Sequence, residues 1–474
     1  MEHWRLIIAF MGLLVGVFLL KKLWLGALFA FLVVILGKTY DGDLSSGVFI
    51  PIANGVIITA ELALLIFGAY LFYNLLTVHR HFKEFDIFLN SFSSKLSVII
   101  MLCWFMGSFM EGIAGFGIPA MLIAPLMIAL GFKPIASIVL PLAGNTTAVT
   151  FGALGTPLKI GLGIFSSGDM VLHTLLLNSF PALMTPFFLA FLYGKIEQVK
   201  IDWPREWKKL LGAGFCFVVP YFLTGLCTVE YPSVVAGFTG LILFMTIFIQ
   251  KKETPNLLFW WNTFYPYLFF VVLLFTAKLA MSGHTFNWHK GLKEIPLYQP
   301  GLIFILSGLV YLVIKNNNTI AFHFFGEAKK SFLHIFKPIC TILLLVCFAQ
   351  LINPELTGLM QGLLAGNPKL SLPLIAIAGV GGSFLTGSAT TSNLILGNSL
   401  QTFPSMTLST PLLLALPHTG SAVGNAISLQ NIIMVKSVVQ QPVREEKILS
   451  YNFITVSLYI ILSMLIAIGL SRYK

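Results

Sequence analysis

Apolar runs of about 20 residues, the length a helix needs to cross roughly 30 Å of hydrocarbon, recur from one end of this 474-residue chain to the other. They can be read near residues 5–20, 23–37, 55–76, 94–110, 112–130, 135–165 with interruptions, 168–193, 210–228 and 231–249. Further runs lie near 263–280, 300–314, 333–352, 370–385, 387–400, 408–438 and 449–470. No soluble domain of useful size is left between them. With 57% hydrophobic and 10% charged side chains, the chain has too little polar surface to coat a water-soluble globule, so a bilayer must solvate it. Stretches such as LWLGALFAFLVVILG from Leu23 lack the alternation of a transmembrane barrel, which leaves helices as the spanning element. The expected architecture is an all-α polytopic membrane protein with about 12 or more transmembrane segments.

A net charge of +11 raises nucleic acid as a partner. The basic residues are scattered through short loops, however, and form no dense patch interleaved with aromatics. Positive charge anchoring cytoplasmic loops accounts for them better, and the loops KIEQVKIDWPREWKK from Lys195 and HRHFKEF, with Arg80 and Lys83, fit that rule. Lys and Arg flank the last helix on both sides, so the orientation of the C-terminus stays open. Cys103, Cys216, Cys227, Cys340 and Cys347 are odd in number and show no CxxC spacing, which argues for small core residues over a disulfide framework or a zinc site. No metal or other cofactor is expected. Arg5 precedes an apolar run that resembles a signal peptide, but no small-x-small cleavage site precedes Lys21 and Lys22, so the run reads as a retained first helix.

The most informative feature is an internal repeat. GSFMEG at Gly107 to Gly112 recurs as GSFLTG at Gly382 to Gly387, and LPLAGN from Leu140 is echoed by LPHTGS from Leu416 at spacings of 33 and 34 residues. Two matches at matched spacing imply a duplicated unit, dividing the chain into a first half at 1–230 and a second at 231–474. The loop before the first copy is basic, whereas NPELTGLMQGLLAGNPK from Asn353 carries one Lys and one Glu. That contrast favours an inverted pair.

Both copies lead into polar, Gly-rich stretches that a lipid-facing helix would not tolerate: GNTTAVTFGALGTP from Gly144, GSATTSN from Gly387 and HTGSAVGNAISLQN from His418. Such segments break helices, and at membrane depth free backbone groups survive only inside protein or beside a watery cavity. The breaks are expected to meet at the bilayer centre, where half-helix N-termini offer N–H groups and a positive dipole end to an anion. Asn145, Thr146, Thr147, Ser388, Thr390, Thr391, Ser392, Asn393, His418 and Ser428 are the candidate substrate ligands. For any one of them the plainer role is packing, since small hydroxyl residues commonly glue membrane helices together.

Ionisable residues in apolar segments cost at least about 2.5 kcal/mol at the bilayer centre and need a reason. Glu111, in FMEGIAGFG between a long apolar run and a Gly-rich break, is the preferred proton-coupling residue; capping the following helix is its alternative. His418 could share the proton or simply be a packed, satisfied ring. Lys159, inside the first polar stretch, could balance an anion; Glu61 is a further candidate, while Lys278, Lys337 and Lys436 are more easily read as charges reaching toward water. Phosphate loops, HExxH and GxSxG are all absent. An ion gradient is therefore the expected power source, and a polytopic membrane enzyme is disfavoured because Glu111 has no sequence-evident acid or base partner.

MEGIAGFGIPAMLIAPLMIALGFKP followed by NTTAVTFGALGTP resembles the first signature region of the lactate permease family. FLTGSATTSN and HTGSAVGNAISLQNI resemble its Gly-Ser-rich segment and its later Gly-Lys-Met-Ile-Ser-Pro-Gln-Ser run. The resemblance implies a multi-pass protein of the bacterial cytoplasmic (inner) membrane that brings in L-lactate, and often glycolate or related 2-hydroxymonocarboxylates, by proton symport. Glu111, Asn145, Thr146, Ser388, Ser392 and Asn393 fall on matching positions; Asn425 stands where the family pattern has Lys, and Leu429 where it has Pro. The partners to expect are a small organic anion, protons and membrane lipid, with the oligomeric state open. The alternative is a Na⁺-coupled carrier of another organic anion such as a dicarboxylate.

Overall fold

The computed structural model describes residues 3–20, 22–40, 42, 46–78, 94–115, 117–159, 161–163, 167–249, 257–281, 283–287, 292–314, 320–366, 371–401, 409–439 and 441–472. The HRHFKEF loop and the start of the stretch from Lys315 lie outside them.

The helices in chain order are α1 (His3–Leu14), α2 (Leu23–Tyr40), α3 (Ser46–Val78), α4 (Lys95–Ile99), α5 (Gly107–Ala114), α6 (Ile118–Ala129), α7 (Pro134–Gly144), α8 (Gly152–Lys159), α9 (Gly168–Glu197), α10 (Trp203–Cys227) and α11 (Pro232–Phe248). After these come α12 (Leu257–Met281), α13 (Pro300–Ile314), α14 (Ile320–Gly366), α15 (Ser371–Thr386), α16 (Ala389–Gln401), α17 (Thr410–Gly424), α18 (Leu429–Val438) and α19 (Glu445–Arg472). Strands are confined, among the described residues, to a two-residue ladder in which Thr285–Phe286 pairs antiparallel with Ile295–Pro296. Among the described residues, eight helices are long and apolar enough to cross a membrane, and α7 with the segment from Ala148 to Lys159 forms a further pair bent by 53°. The chain is thus a polytopic helical membrane protein with broken helices.

The contacts group into two units, each drawing on both halves of the sequence. In the first (Met1–Ile87, Pro255–Leu356, Lys436–Glu446), α3 and α13 approach closely enough that a Cβ at Gly68 would lie 2.3 Å from the Gly301 carbonyl oxygen. Leu71, Leu75 and Leu312 close the core beside that crossing. Two ion pairs lie in this unit: Lys293 Nζ donates to Glu61 Oε2 at 2.5 Å, and Lys436 pairs with Glu445 at 2.5 Å. Lys278 lies 4.8 Å from the centre of the Tyr298 ring.

The second unit (Phe88–Thr254, Thr357–Val435, Lys447–Lys474) contains both copies of the repeat. Its most deeply placed span is Thr410–Val438, whose 18-residue apolar window is buried throughout, whereas only a third of the apolar window of Glu445–Ser471 is. Helix α4 runs through a π-helical stretch, Ile100–Met106, into α5; such widened turns occur mostly as single-turn bulges, frequently at functional sites. Chain breaks fall where the Gly-rich motifs predict them. Gly115 and Gly117 (φ 68° and 74°) separate α5 from α6, and Gly387 (φ 68°) separates α15 from α16. Short 3-10 turns, Ala148–Phe151 and Asn425–Ile427, follow α7 and α17.

The two copies match in their breaks as well as in their letters. Helix α7 carries Pro141 and ends at Gly144 with Asn145 as its C-cap; α17 carries Pro417 and ends at Gly424 with Asn425 as its C-cap. The second helix continues four residues further past its proline, close to one helical turn. Structurally, then, the counterpart of Asn145 is Asn425, one turn beyond the residue that the LPLAGN and LPHTGS letters align with it.

A buried polar chain joins elements from both ends of the sequence. Thr147 Oγ1 donates to Tyr459 Oη (3.0 Å), Tyr459 Oη donates to Asn178 Oδ1 (2.8 Å), and Asn178 Nδ2 donates to Thr419 Oγ1 (3.2 Å). All four side chains are buried, so each bond is retained at the cost of exposing an unpaired group if broken. Tyr459→Phe deletes the central link and leaves Asn178 Oδ1 short of a donor. A loss of about 1–3 kcal/mol is expected, read as a lower unfolding temperature in detergent. A cycle with Thr147→Val should return a coupling of at least about 0.5 kcal/mol.

Candidate functional site

In the second unit, a small cleft of about 20 Å³ opens where the breaks of the two copies meet. It is lined by Glu111, Gly115, Val149, Gly152, Ala153, Pro157, Gly387, Ser388, Ala389, Thr390 and Asn425. One wall is the first copy. Here the chain turns sharply, with Ala153, Leu154 and Gly155 all at positive φ (48°, 58° and 75°). Left-handed conformations are uncommon for Ala and Leu and persist only where surrounding packing enforces them. The enforcement is visible: Gly115, itself left-handed, lets Ala153 approach so closely that a Cβ at 115 would sit 2.7 Å from the Ala153 methyl.

Glu111 is 1% exposed. Its Oε2 accepts from Asn145 Nδ2 at 2.8 Å. Oε1 lies against Gly152, where an added Cβ would be 3.0 Å away, so the missing side chain there leaves that oxygen uncovered. Among the described residues Glu111 has no ion-pair partner, and no Lys, Arg or His lines the cleft. The opposing wall is the start of α16. Ser388 Oγ accepts from the Thr391 N–H at 3.3 Å, capping a 13-residue helix whose first turn, through Ala389 and Thr390, faces the cleft. A capped N-terminus of this kind presents the positive end of the helix dipole.

The other candidate residues are placed as follows. Thr146 is buried and donates to the Ala143 carbonyl at 3.0 Å, and Thr147 belongs to the polar chain described above. Thr391 is half-buried in the first turn of α16, meeting Ser388 through its backbone. Ser392 Oγ bonds Ser421 Oγ across α16 and α17 at 2.7 Å. Asn393 Nδ2 donates to both the Pro157 carbonyl (2.9 Å) and His418 Nδ1 (2.7 Å). Since that amide end must be the donor toward a carbonyl, His418 Nδ1 is an acceptor and the ring is neutral with its proton on Nε2, which lies by the Thr150 carbonyl outside good hydrogen-bonding geometry. His418 is thereby tied to helix packing and does not line the cleft. Ser428 Oγ accepts from the Asn431 N–H at 3.4 Å, capping α18. Lys159 is also outside the cleft; nearly half exposed, it pairs with Glu230, so its charge is already matched. The structure thus brings Glu111, Ser388 and Thr390 together at the cleft, with Asn145 directly behind Glu111. Asn178 and Tyr459, polar residues in long helices outside the Gly-rich stretches, complete the polar framework together with Thr419 of the HTGSAVGN stretch.

A family model described as L-lactate permease matches the chain at residues 7–264 and again at 258–472. The chain belongs to the L-lactate permease family. It is similar to a putative L-lactate permease of Haemophilus influenzae (25% identity, covering 80% of each chain) and to the L-lactate permease of Salmonella typhimurium (25%, 74% of each). The glycolate permease GlcA of Escherichia coli is comparably similar (25%, 78% of each). This permease is a multi-pass membrane transporter and not an enzyme. The two successive matches divide it near the middle, in accord with the duplicated motifs.

Proposed function

We propose that this permease imports a small 2-hydroxymonocarboxylate, L-lactate or glycolate, in symport with a proton across the bacterial cytoplasmic membrane. The observation that carries the reading is the pairing in one cleft of a buried carboxyl without a cationic partner among the described residues and a capped helix N-terminus. The relatives named as L-lactate and glycolate permeases supply the substrate class.

The substrate carboxylate docks at the first turn of α16, taking backbone N–H groups beside Ser388 and Thr390. A second negative charge on Glu111 would then face it in a cleft with no lining cation, and the repulsion grows as water leaves. A proton on Glu111 removes that repulsion. The carboxyl keeps its bond from Asn145 Nδ2 at Oε2 while Oε1, uncovered at Gly152, is the oxygen open to the proton. Binding of anion and proton thus favour each other, which is the thermodynamic content of symport. A dicarboxylate fits less well, since its second charge meets no cationic side chain lining the cleft.

One proton with one monocarboxylate moves no net charge. An imposed pH difference should therefore drive uptake of labelled L-lactate into liposomes, about tenfold in accumulation per pH unit, while a membrane potential alone, worth about 2.3 kcal/mol per charge per 100 mV, should not. The acid-outside experiment tests the reading directly. Uptake driven by a Na⁺ gradient and indifferent to pH would overturn the proton assignment, and preferential uptake of a dicarboxylate would overturn the substrate class.

A further inference from the structure

We propose that Asn425 reads the 2-oxygen of the substrate through its side-chain NH₂, and that Asn431 positions it to do so; the inference rests on the functional reading above and names the specificity determinant of that site.

Four side chains with polar atoms line the cleft: Glu111, Ser388, Thr390 and Asn425. Glu111 is assigned to the proton, and Ser388 already accepts an N–H as a helix cap. Asn425 is almost fully buried, at 6% exposure, and closes α17 beside the cleft. Its amide has one orientation consistent with its neighbours. Asn431 Nδ2 donates to the Asn425 backbone carbonyl at 3.3 Å and also to Asn425 Oδ1. A carbonyl accepts only, so the group of Asn431 facing it is the NH₂, and the Asn425 atom meeting that NH₂ is the amide oxygen. Asn425 Oδ1 is thereby turned toward Asn431, and its own NH₂ is the end left for a ligand. Asn431 is itself held, through the N-cap bond from its backbone N–H to Ser428 Oγ.

The two copies of the repeat have divided one task. Asn145 directs its NH₂ to Glu111 Oε2, while its counterpart Asn425 is oriented by Asn431. A 2-hydroxy acid has two polar ends, a carboxylate and the neighbouring oxygen. With the carboxylate at the N-terminus of α16, the Asn425 NH₂ donates to the oxygen on C2. An acid lacking that oxygen leaves a buried donor unpaired, and sites built to hydrogen-bond a substrate group reject analogues without it.

The test compares L-lactate with propionate, its analogue without the hydroxyl, as competitors of labelled lactate uptake by the reconstituted full chain. In the unaltered protein lactate should compete at least about tenfold better. Asn425→Leu keeps a similar volume and adds no charge beside the anion but removes the NH₂; the lactate-to-propionate ratio should fall to within about twofold of unity, through weaker lactate binding. Asn431→Leu leaves Asn425 in place without its tether and should lower the ratio part of the way. A merely structural role would change the amount of active protein and leave the ratio alone. If Asn425→Leu retains the ratio of the unaltered protein, the inference is overturned while lactate transport stands. If the unaltered protein carries no 2-hydroxy acid, the functional reading falls with it.

Discussion

Glu111→Gln is expected to abolish proton-driven accumulation of L-lactate while leaving exchange of lactate across the membrane measurable. Glutamine preserves the shape of the carboxyl and an oxygen for the Asn145 amide, which donates to Oε2 at 2.8 Å. The site therefore stays folded. What it loses is the ability to gain and give up a proton. Locked in a neutral state, the carrier resembles its protonated form: it can bind the anion at α16 and carry it either way, but no proton gradient can bias the direction. Accumulation in acid-outside liposomes should fall from about tenfold per pH unit to no more than equilibration, whereas counterflow of labelled lactate against unlabelled lactate inside should persist. Proton-driven concentration by the Gln variant would remove Glu111 from coupling. Glu111→Asp provides a graded control, since it keeps the titrating group but withdraws it by one methylene from Asn145.

How much of this was legible in the sequence depends on the range over which each feature acts. The breaks were legible because glycine at positive φ is a local requirement: Gly115, Gly117 and Gly387 bend the chain where the motifs stand. Glu111 was legible because a carboxyl inside an apolar run is costly wherever it points. The partners of polar side chains were not. Asn178 and Tyr459 lie in long helices outside the Gly-rich stretches, and the bonds that link them to Thr147 and Thr419 span 241 to 312 residues, a pairing no local pattern encodes. The role of Lys159 turned on Glu230, in the turn between α10 and α11, which closes beside it only through the close approach of Gly155 to the Val229 carbonyl. The Gly-Ser-rich residues divide by their place along α16. Ser388 and Thr390 line the cleft, while Ser392 and Asn393, further along α16, bond α17 as helix-to-helix glue. Asn425 was visible as a departure from the family's Lys, but its equivalence to Asn145 was hidden by the extra turn of α17.

Gly420→Val should cost the protein its fold in the second unit. Helices α15 and α17 approach backbone to backbone through glycines: a Cβ at Gly379 would lie 2.1 Å from the Pro417 carbonyl oxygen, one at Gly420 2.3 Å from the Ala376 carbonyl oxygen, and one at Gly424 2.6 Å from the Val380 carbonyl oxygen. Gly420 and Gly424 stand four residues apart, on one face, in the small-residue pattern that lets membrane helices pack closely. Because the neighbours are main-chain oxygens and not side-chain tips, no rotamer change relieves the clash, and the helices must separate. Overpacking of this kind costs about 1–3 kcal/mol where side chains can yield, so a backbone-limited site should exceed that range. The separation also displaces Asn425, one residue beyond Gly424, and the α15–α16 break at Gly387, coupling loss of stability to loss of the cleft. Gly420→Ala, which adds only the clashing Cβ, should already lower the unfolding temperature in detergent and reduce uptake. Gly469→Ala in α19 is the matched control: nothing lies within 4 Å of its Cβ position, and replacing a helical glycine with alanine in open space should stabilise by up to about 1 kcal/mol. Equal stability of the Gly420 and Gly469 variants would show that the α15–α17 contact is looser than its backbone distances require.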